Sequence, residues 1–499
     1  MSNFKCVKMK KNILYTALCM AQICLLGACS DFLNEQPQSD FTNDGSGGDG
    51  LTSKYLNLAD AEAELQGAYE NFKSDIFQME NYTINDIQSD NCYVGGDGTN
   101  EEAVGMLRLS PTNAKVSLVW SQYYSMSGTA TNVIENTRLM ESAAIQEADR
   151  NRIMGEAKFI RTWACFDMVR LWGDLPMVTQ LIPTITAENL EEWYPVMYPE
   201  RTPEEEIYRQ IIDDLDEAGT IRYLESMNKG AFQATKGAAY GLLAKVWATR
   251  GEKSSRNYSE VIRYCDKAIA EGYRLTDRFE ELWDPDNKFT PESMFEVYYT
   301  TDAPNWAYWT LLKEADGTVS WRRYCTPSHD LIAKYDTEKD QRYASGILWK
   351  EAPYDVYYPA DNYPFAYKIR EKNSDIILMR LADILLLKAE ALVEMNQVAE
   401  AIEIVNQVRR RAGLDGLPLG MSQSEARLAV ENERQLELFM EGQRWYDLLR
   451  NERMLEVMRN HRDAQGNLFL QGLEAYRAKW PLPQGEMDKN TRLVQNEGY

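Results

Sequence analysis

Two histidines in 499 residues leave little room for imidazole chemistry. His329 and His461 have no metal-spaced partner, and each reads as a surface or packing residue rather than a catalytic one. The chain also lacks a nucleophile elbow and a phosphate-binding loop. Basic residues are in deficit: 54 Lys and Arg against 77 Asp and Glu give a net charge of −23, which argues against a phosphate-binding surface. Outside the N-terminus no apolar run is both long and charge-poor enough to cross a membrane. With 77 acids a carboxylate pair for glycoside hydrolysis remains open at this level.

Cysteine is scarce, and its placement is informative. Lys10 and Lys11 precede an apolar run from Ile13 to Ala28, short for a transmembrane helix and right for a signal-peptide core. Met9 is the expected start. Leu26-Gly27-Ala28-Cys29 matches a bacterial lipobox, so residues 1–28 read as a lipoprotein signal and Cys29 as the lipidated first residue of the mature chain. Cys6, Cys19 and Cys24 leave with the signal. Cys92, Cys165, Cys265 and Cys325 show neither a disulfide framework nor zinc spacing and read as buried thiols, although an exported protein permits disulfides. Residues 29–54 hold a Gly-, Ser- and Asp-rich tether whose acidic spacing lacks the glycine and terminal Glu of a calcium loop.

Residues 55–499 read as one mostly α domain. Apolar spacing predicts helices over Leu58–Phe72, Ala114–Met140 and from Ile145 to the Gly173/Pro176 stop. Thr202, Pro203 and Glu205 supply cap, N1 proline and capping-box acid for the next helix. The polar segment from Asn81 to Glu102 reads as a loop. TKGAAYGLLAKVWATRGE with YSEVIRYCDKAIAEGY, and later DIILMRLADILLLKAEALVEMN with AEAIEIVNQVRRRAG, each give two helices joined by a short turn. Ala244, Ala248, Ala268, Ala382, Ala389 and Ala401 fall where such helices would cross closely. Paired helices near 34 residues point to a tetratricopeptide-like scaffold, without its full motif. DIILMRLADILLLKAEALVEMN is apolar on nearly every face, which predicts an interior helix. Arg409, Arg410 and Arg411 suit the C-terminal dipole before Gly413 as cap. Ser422 and Glu425 form a capping box opening a third helix that runs to Arg450. Its many charges read as mutually satisfied ions of a packed helix, Glu441 with Arg444 among them.

ADILLLKAEAL, NQVRRRAGL and ERQLELFMEGQRWYDLLR resemble the C-terminal signature of the SusD/RagB family. So do Gly155–Pro176 and the terminal KWPLPQGEMDKNTRLVQNEGY, with Pro481, Pro483, Gln495, Asn496, Gly498 and Tyr499 in the expected places. The resemblance implies a non-enzymatic outer-membrane lipoprotein facing the cell exterior. It would capture glycans for a SusC-like TonB-dependent transporter, with no cofactor and no metal. It places the glycan site in loops outside the helical repeats and carries over no individual ligand residue.

The residues themselves point to such loops. Between Phe279 and Cys325 the helical period fails and 11 of 47 residues are aromatic, about twice the chain's 11%. MFEVYYTT reads as a strand. The whole stretch of about 279–370 reads as an irregular, aromatic-rich insertion that includes a second cluster from Tyr354 to Tyr367. Trp306, Trp309 and Trp321 lie in polar, turn-prone sequence, suited to stacking on the apolar faces of sugar rings. Arg322, Arg323, Asp90 and Asn91 would bond hydroxyls, with Tyr82 and Tyr93 as further rings. A secreted glycoside hydrolase and a tetratricopeptide-type protein adaptor are the alternative functions.

Overall fold

A computed structural model describes residues 42–43, 51–95, 98–227, 232–308, 324–351 and 356–499. The signal, Cys29, most of the tether, and Trp309, Trp321, Arg322 and Arg323 lie outside the described residues.

Helices dominate. Leu58–Glu70, Ala114–Leu139 and Glu147–Trp172 pack on one another. Asn57 caps the first of these, its side-chain oxygen accepting from the amides of Ala59 and Asp60. Lys236–Thr249 pairs with Tyr258–Ala270, which lies against Leu381–Glu394; that helix pairs with Val398–Arg411, and both contact Gln423–Glu437. This succession is the tetratricopeptide-like scaffold expected from the repeats. All six alanines at the crossings are buried, as close helix approach requires. The capping box of Ser422 and Glu425 is formed, and Gly413, at φ +83°, ends its helix as only glycine does freely.

Several expectations are corrected. Residues 375–394 do not form one helix: Ile376–Arg380 is a strand paired antiparallel with Ser293–Val297, and the helix starts at Leu381. Strand and helix are both buried here, so the apolar run carried no period to separate them. The polar segment from Asn81 holds the helices Asn81–Ile87 and Thr99–Gly105 and the strand Cys92–Tyr93. Thr202 does not cap the helix Glu204–Asp214. Asp174, from the turn after the Glu147–Trp172 helix, accepts the Glu204 amide at 2.8 Å instead. The third helix of the C-terminal region breaks after Glu437 and resumes at Arg444–Arg450. Met440 and Gly442 take positive φ at the break, and buried Asp86 accepts both their amides, at 3.1 and 3.3 Å.

That break redirects the charges. Glu441 does not pair with Arg444: it binds Lys368 and Arg380, while Arg444 forks onto Asp90 at 2.7 and 3.0 Å. Arg409 and Arg411 also do more than face a helix dipole, since Arg409 reaches Glu433 and Arg411 reaches Glu292 and Glu437. Glu437 accepts from Arg380 at 2.6 Å, from Arg342 at 3.1 Å and from Arg411. Burial pushes its carboxyl toward protonation, but the charges of Arg411, Arg380 and Arg342 outweigh burial and hold it well below the usual carboxylate range. A second cluster centres on Arg434, bonded to Asp447 at 2.8 Å and Asp383 at 2.9 Å. The ions are buried and paired, as the packed-helix reading expects.

The terminal segment is equally fixed. Trp172 donates its indole N–H to Pro481, Trp480 donates to Gln88, and the Asn496 amide bridges the carbonyls of Trp172 and Trp480. This closes the end of the Glu147–Trp172 helix.

If these ions are scaffold, Arg434→Ala removes the arginine that joins Asp383 to Asp447 and leaves them to Lys245 and Arg450 alone. Breaking a buried pair outright costs about 3–5 kcal/mol, and the remaining cations set that as the upper end here. Thermal denaturation should show a marked fall in melting temperature, and the fraction that stays folded should bind ligand with unchanged affinity. Intact melting with lost affinity would identify a site instead.

Candidate functional site

The strand Ser293–Val297 leads into a loop that carries Trp306, whose side chain remains exposed (54%) in a region where most large rings are buried. Its backbone is not loose. The neighbouring Asn305 is fully buried; its amide donates to the Lys372 carbonyl at 2.7 Å, and its side chain donates to Ser374 at 3.0 Å and accepts from Ala307 at 2.9 Å. The Trp306 amide donates to the Gln78 side chain at 2.7 Å. An indole face is thus presented to solvent from a mount fixed on both sides.

Beneath the mount lie two carboxyl groups. Asp375 accepts from the Tyr299 amide at 2.8 Å and from Lys288, whose ammonium also bonds the carbonyls of Tyr299 and Asn373. Glu296 accepts from the Phe289 amide. Burial above all, with the Asp375 charge adjacent, pushes the Glu296 carboxyl up from its usual range. Glu296 is only 2% exposed, so the pair cannot flank a glycosidic bond; it ties the mount to the sheet. Tyr298 stands 41% exposed beside it, stacked on Phe289 with ring centres 6.0 Å apart.

The structure does not bring Asp90, Asn91 and Tyr93 to this surface. Asp90 and Asn91 are buried, and the Gln435 amide donates to both, at 3.0 and 2.8 Å, while Asn91 donates to Asp86. Burial opposes the Asp90 charge, but Arg444 outweighs it and keeps the carboxyl well below its usual range. Tyr93 is buried with its ring stacked on Tyr357 (4.6 Å) and His461 (5.4 Å), and its hydroxyl donates to the Arg462 carbonyl. These three residues are expected ligands that belong to the interior. A short run of polar residues looks like a loop, and nothing in it announced an arginine 354 positions away. Tyr82 lies in the helix Asn81–Ile87, four residues after Gln78. Of the second aromatic cluster, Tyr358, Tyr363 and Phe365 are core. His461 is buried against Asp330 at 2.6 Å and His329 is exposed, in the packing and surface roles expected.

Sequence reasoning passed over the mount itself. Asn305 beside an aromatic was the available signal, since a buried side-chain amide fixes a loop by standing in for backbone partners. A separate groove of about 260 Å³ runs along the helical repeats, lined by Lys253, Glu390, Glu394, Arg427, Glu431 and Arg453. Its charges already pair, Lys253 and Arg427 with Glu394 and Arg453 with Glu431. Among the described residues no cluster of three or more His, Cys, Asp or Glu is arranged to hold a metal ion.

Comparison with known proteins follows the same lines. Residues 358–499 match the SusD family, and residues 31–247 match a family described as starch-binding and associating with the outer membrane. SusD-like protein P2 of Formosa agariphila is 27% identical over 495 residues, covering 90% of this chain and 94% of that one. The starch-binding protein SusD of Bacteroides thetaiotaomicron is 30% identical over 128 residues, 26% of this chain and 22% of that one. A laminarin-binding SusD-like protein superposes with a TM-score of 0.72 at 23% identity, covering 89% of this chain and all of that one. Surface glycan-binding protein A of Bacteroides thetaiotaomicron, in complex with laminarihexaose, gives 0.72 at 19% identity, over 88% and 99% of the two chains.

The mount yields a direct test. Asn305→Ala removes a buried side-chain amide with two hydrogen bonds and leaves their partners at Ser374 and Ala307 unsatisfied, a loss of about 1–3 kcal/mol. Hydrogen exchange at the amides of residues 305–307 should accelerate along with the fall in stability. Unchanged exchange there would mean the loop is held by something else.

Proposed function

The chain belongs to the SusD/RagB family, and on that premise we propose that it is an outer-membrane lipoprotein that captures a glycan and delivers it to a TonB-dependent transporter of the SusC type. Cys29 carries the lipid, residues 29–54 form the tether, and residues 55–499 form the glycan-capturing domain, which faces the cell exterior. The observation that carries the reading is Trp306: an exposed indole on a rigid mount, outside the helical repeats. An exposed ring on a backbone held in this way offers area to a sugar's C–H face with little further ordering of the main chain on binding. Trp309, Trp321 and Arg322, in the sequence that follows, are proposed to complete the surface, with Tyr82 at its edge.

The protein acts by binding. The perturbed carboxyl pair near the mount is buried, which speaks against a hydrolytic site there. The groove of the repeats has its charges paired internally, which weakens the adaptor reading. The starch-binding and laminarin-binding relatives support a glycan as ligand. Acyl anchoring at Cys29, worth roughly 0.8 kcal/mol per buried methylene, would hold a weak glycan site at high effective concentration beside a transporter.

Trp306→Ala should weaken binding to the best glycan of a panel that includes laminarin and starch. Ring stacking contributes about 1–3 kcal/mol by analogy with stacked bases, tenfold or more in Kd at the upper end. Calorimetry reads the change. If Trp306, Trp309 and Trp321 can all be replaced by alanine without altering Kd, the site lies elsewhere; release of reducing sugar by the purified protein would favour a hydrolase.

The partner is tested in the membrane. Gentle detergent extraction and affinity purification of the tagged lipoprotein, from cells grown on the inducing glycan, should recover a large β-barrel in stoichiometric amount. Purification of the lipoprotein alone would remove the delivery half of the proposal.

A further inference from the structure

Cys92 and Cys325 are 233 residues apart in the chain, yet their sulfurs lie 3.1 Å from each other. Both side chains are buried, at 0% and 5% exposure. The contact is not an accident of two mobile side chains. Cys92 opens the short strand Cys92–Tyr93, which pairs antiparallel with Thr326–Pro327 in the register Cys92↔Pro327 and Tyr93↔Thr326. Cys325 is two positions before Pro327, so alternation along the strand puts it on the same face as Cys92. Ser328 then locks the ladder, its amide donating to the Asn91 carbonyl at 2.8 Å and its hydroxyl to the Asp90 carbonyl at 2.5 Å. Two backbones fixed in this way hold the sulfurs closer than unbonded sulfur atoms ordinarily pack. About 1 Å of further approach would reach covalent distance.

We propose that Cys92 and Cys325 form a disulfide as the chain folds outside the cytoplasm, pinning the aromatic-rich segment to the early strand. This rests on the exported reading above, because thiols persist in the cytosol and are oxidised in the envelope. The oxidant is a disulfide-exchange reagent, either a thiol oxidase protein or glutathione disulfide. One cysteine thiolate attacks the oxidant's S–S bond and expels one oxidant thiolate. The second cysteine then attacks the mixed disulfide and expels the other. Two cysteine thiols become one S–S bond, and the oxidant's disulfide becomes two thiols, so electrons and protons balance. Burial raises both thiols in the folded protein, which suppresses their thiolates and shields them from exchange. The other two thiols have different surroundings: Cys165 lies beside the Ser127 hydroxyl at 3.7 Å, and Cys265 is buried in the helix Tyr258–Ala270.

The test uses the full chain with its own leader, expressed in a Gram-negative host. Cells are lysed directly into denaturant containing excess N-ethylmaleimide, and the protein is digested without reductant for mass spectrometry. The expected product joins the Cys92 peptide to the Cys325 peptide with loss of two hydrogen atoms, while Cys165 and Cys265 carry maleimide. Protein recovered in the envelope fraction with maleimide on both Cys92 and Cys325 would overturn the bond and leave the exported reading standing. Protein found only in the cytosol would instead defeat the exported reading, and refolding from denaturant with glutathione disulfide would then decide the bond. A Cys92–Cys325 link after refolding supports it. Free thiols or another pairing after refolding rule it out.

Discussion

A carboxylate that must stay ionised without water constrains this molecule more than any other group. Glu437 is completely buried, and three arginines from three separate segments converge on it: Arg342, Arg380 and Arg411. An isolated buried carboxylate would pay several kcal/mol even after relaxation, and it would protonate instead. Here Glu292 and Glu441 neutralise the surplus cations, so the cluster approaches balance. Phe279 and Trp283 lie over Arg380 with ring centres 5.8 and 5.9 Å away, giving the guanidinium apolar cover and ring-face attraction. Replacing such a network by hydrocarbon need not reduce stability, but removing one member leaves its partners charged and unpaired. What the network supplies is geometry: each segment fits in only one place.

The loop that carries Trp306 inherits that geometry. Arg380 ends the strand Ile376–Arg380, and Ser374 and Asp375, just before it, hold Asn305 and Tyr299. The opposing strand, Ser293–Val297, runs directly toward Trp306. A slip of one residue in this two-stranded ladder would turn Arg380 away from Glu437 and move the mount of the indole with it. The register that the ion network enforces is therefore also the register that fixes the ring.

Much of the scaffold was legible in the sequence because helices announce themselves through period and caps. Leu58, Ala114 and Glu147 begin helices close to where apolar spacing puts them, and Ser422 with Glu425 forms its box. The charges of the last region were legible in kind, as mutually satisfied ions, but not in partner. Spacing along one helix suggested Glu441 with Arg444, whereas the chain breaks between them at positive φ and each finds its partner in a distant segment. Local arithmetic cannot see pairs separated by dozens or hundreds of residues. The same blindness placed Asp90 and Asn91 on a surface, since a polar run reads identically whether water or a buried arginine satisfies it. Trp306 was legible from the turn-prone residues around it; its mount was not, because Asn305 bonds backbone carbonyls nearly seventy positions on.

Stacked helical repeats leave little freedom to vary a surface, and the contrast between the repeats and the loop at 306 follows from that. In a stack of paired helices nearly every inward residue is committed to a neighbour, as the buried alanines at the crossings and the paired charges of the repeat groove both illustrate. Changing one side chain there disturbs packing or strands a charge. A loop held by backbone hydrogen bonds is different. Asn305 secures the main chain through carbonyls that any residue possesses, so the neighbouring side chain at 306 is left to face solvent. The backbone position at 306 stays fixed by these bonds, by the strands and by the ion network. A rim of this kind is held by main-chain bonds, on a scaffold whose interior charges tolerate little single substitution.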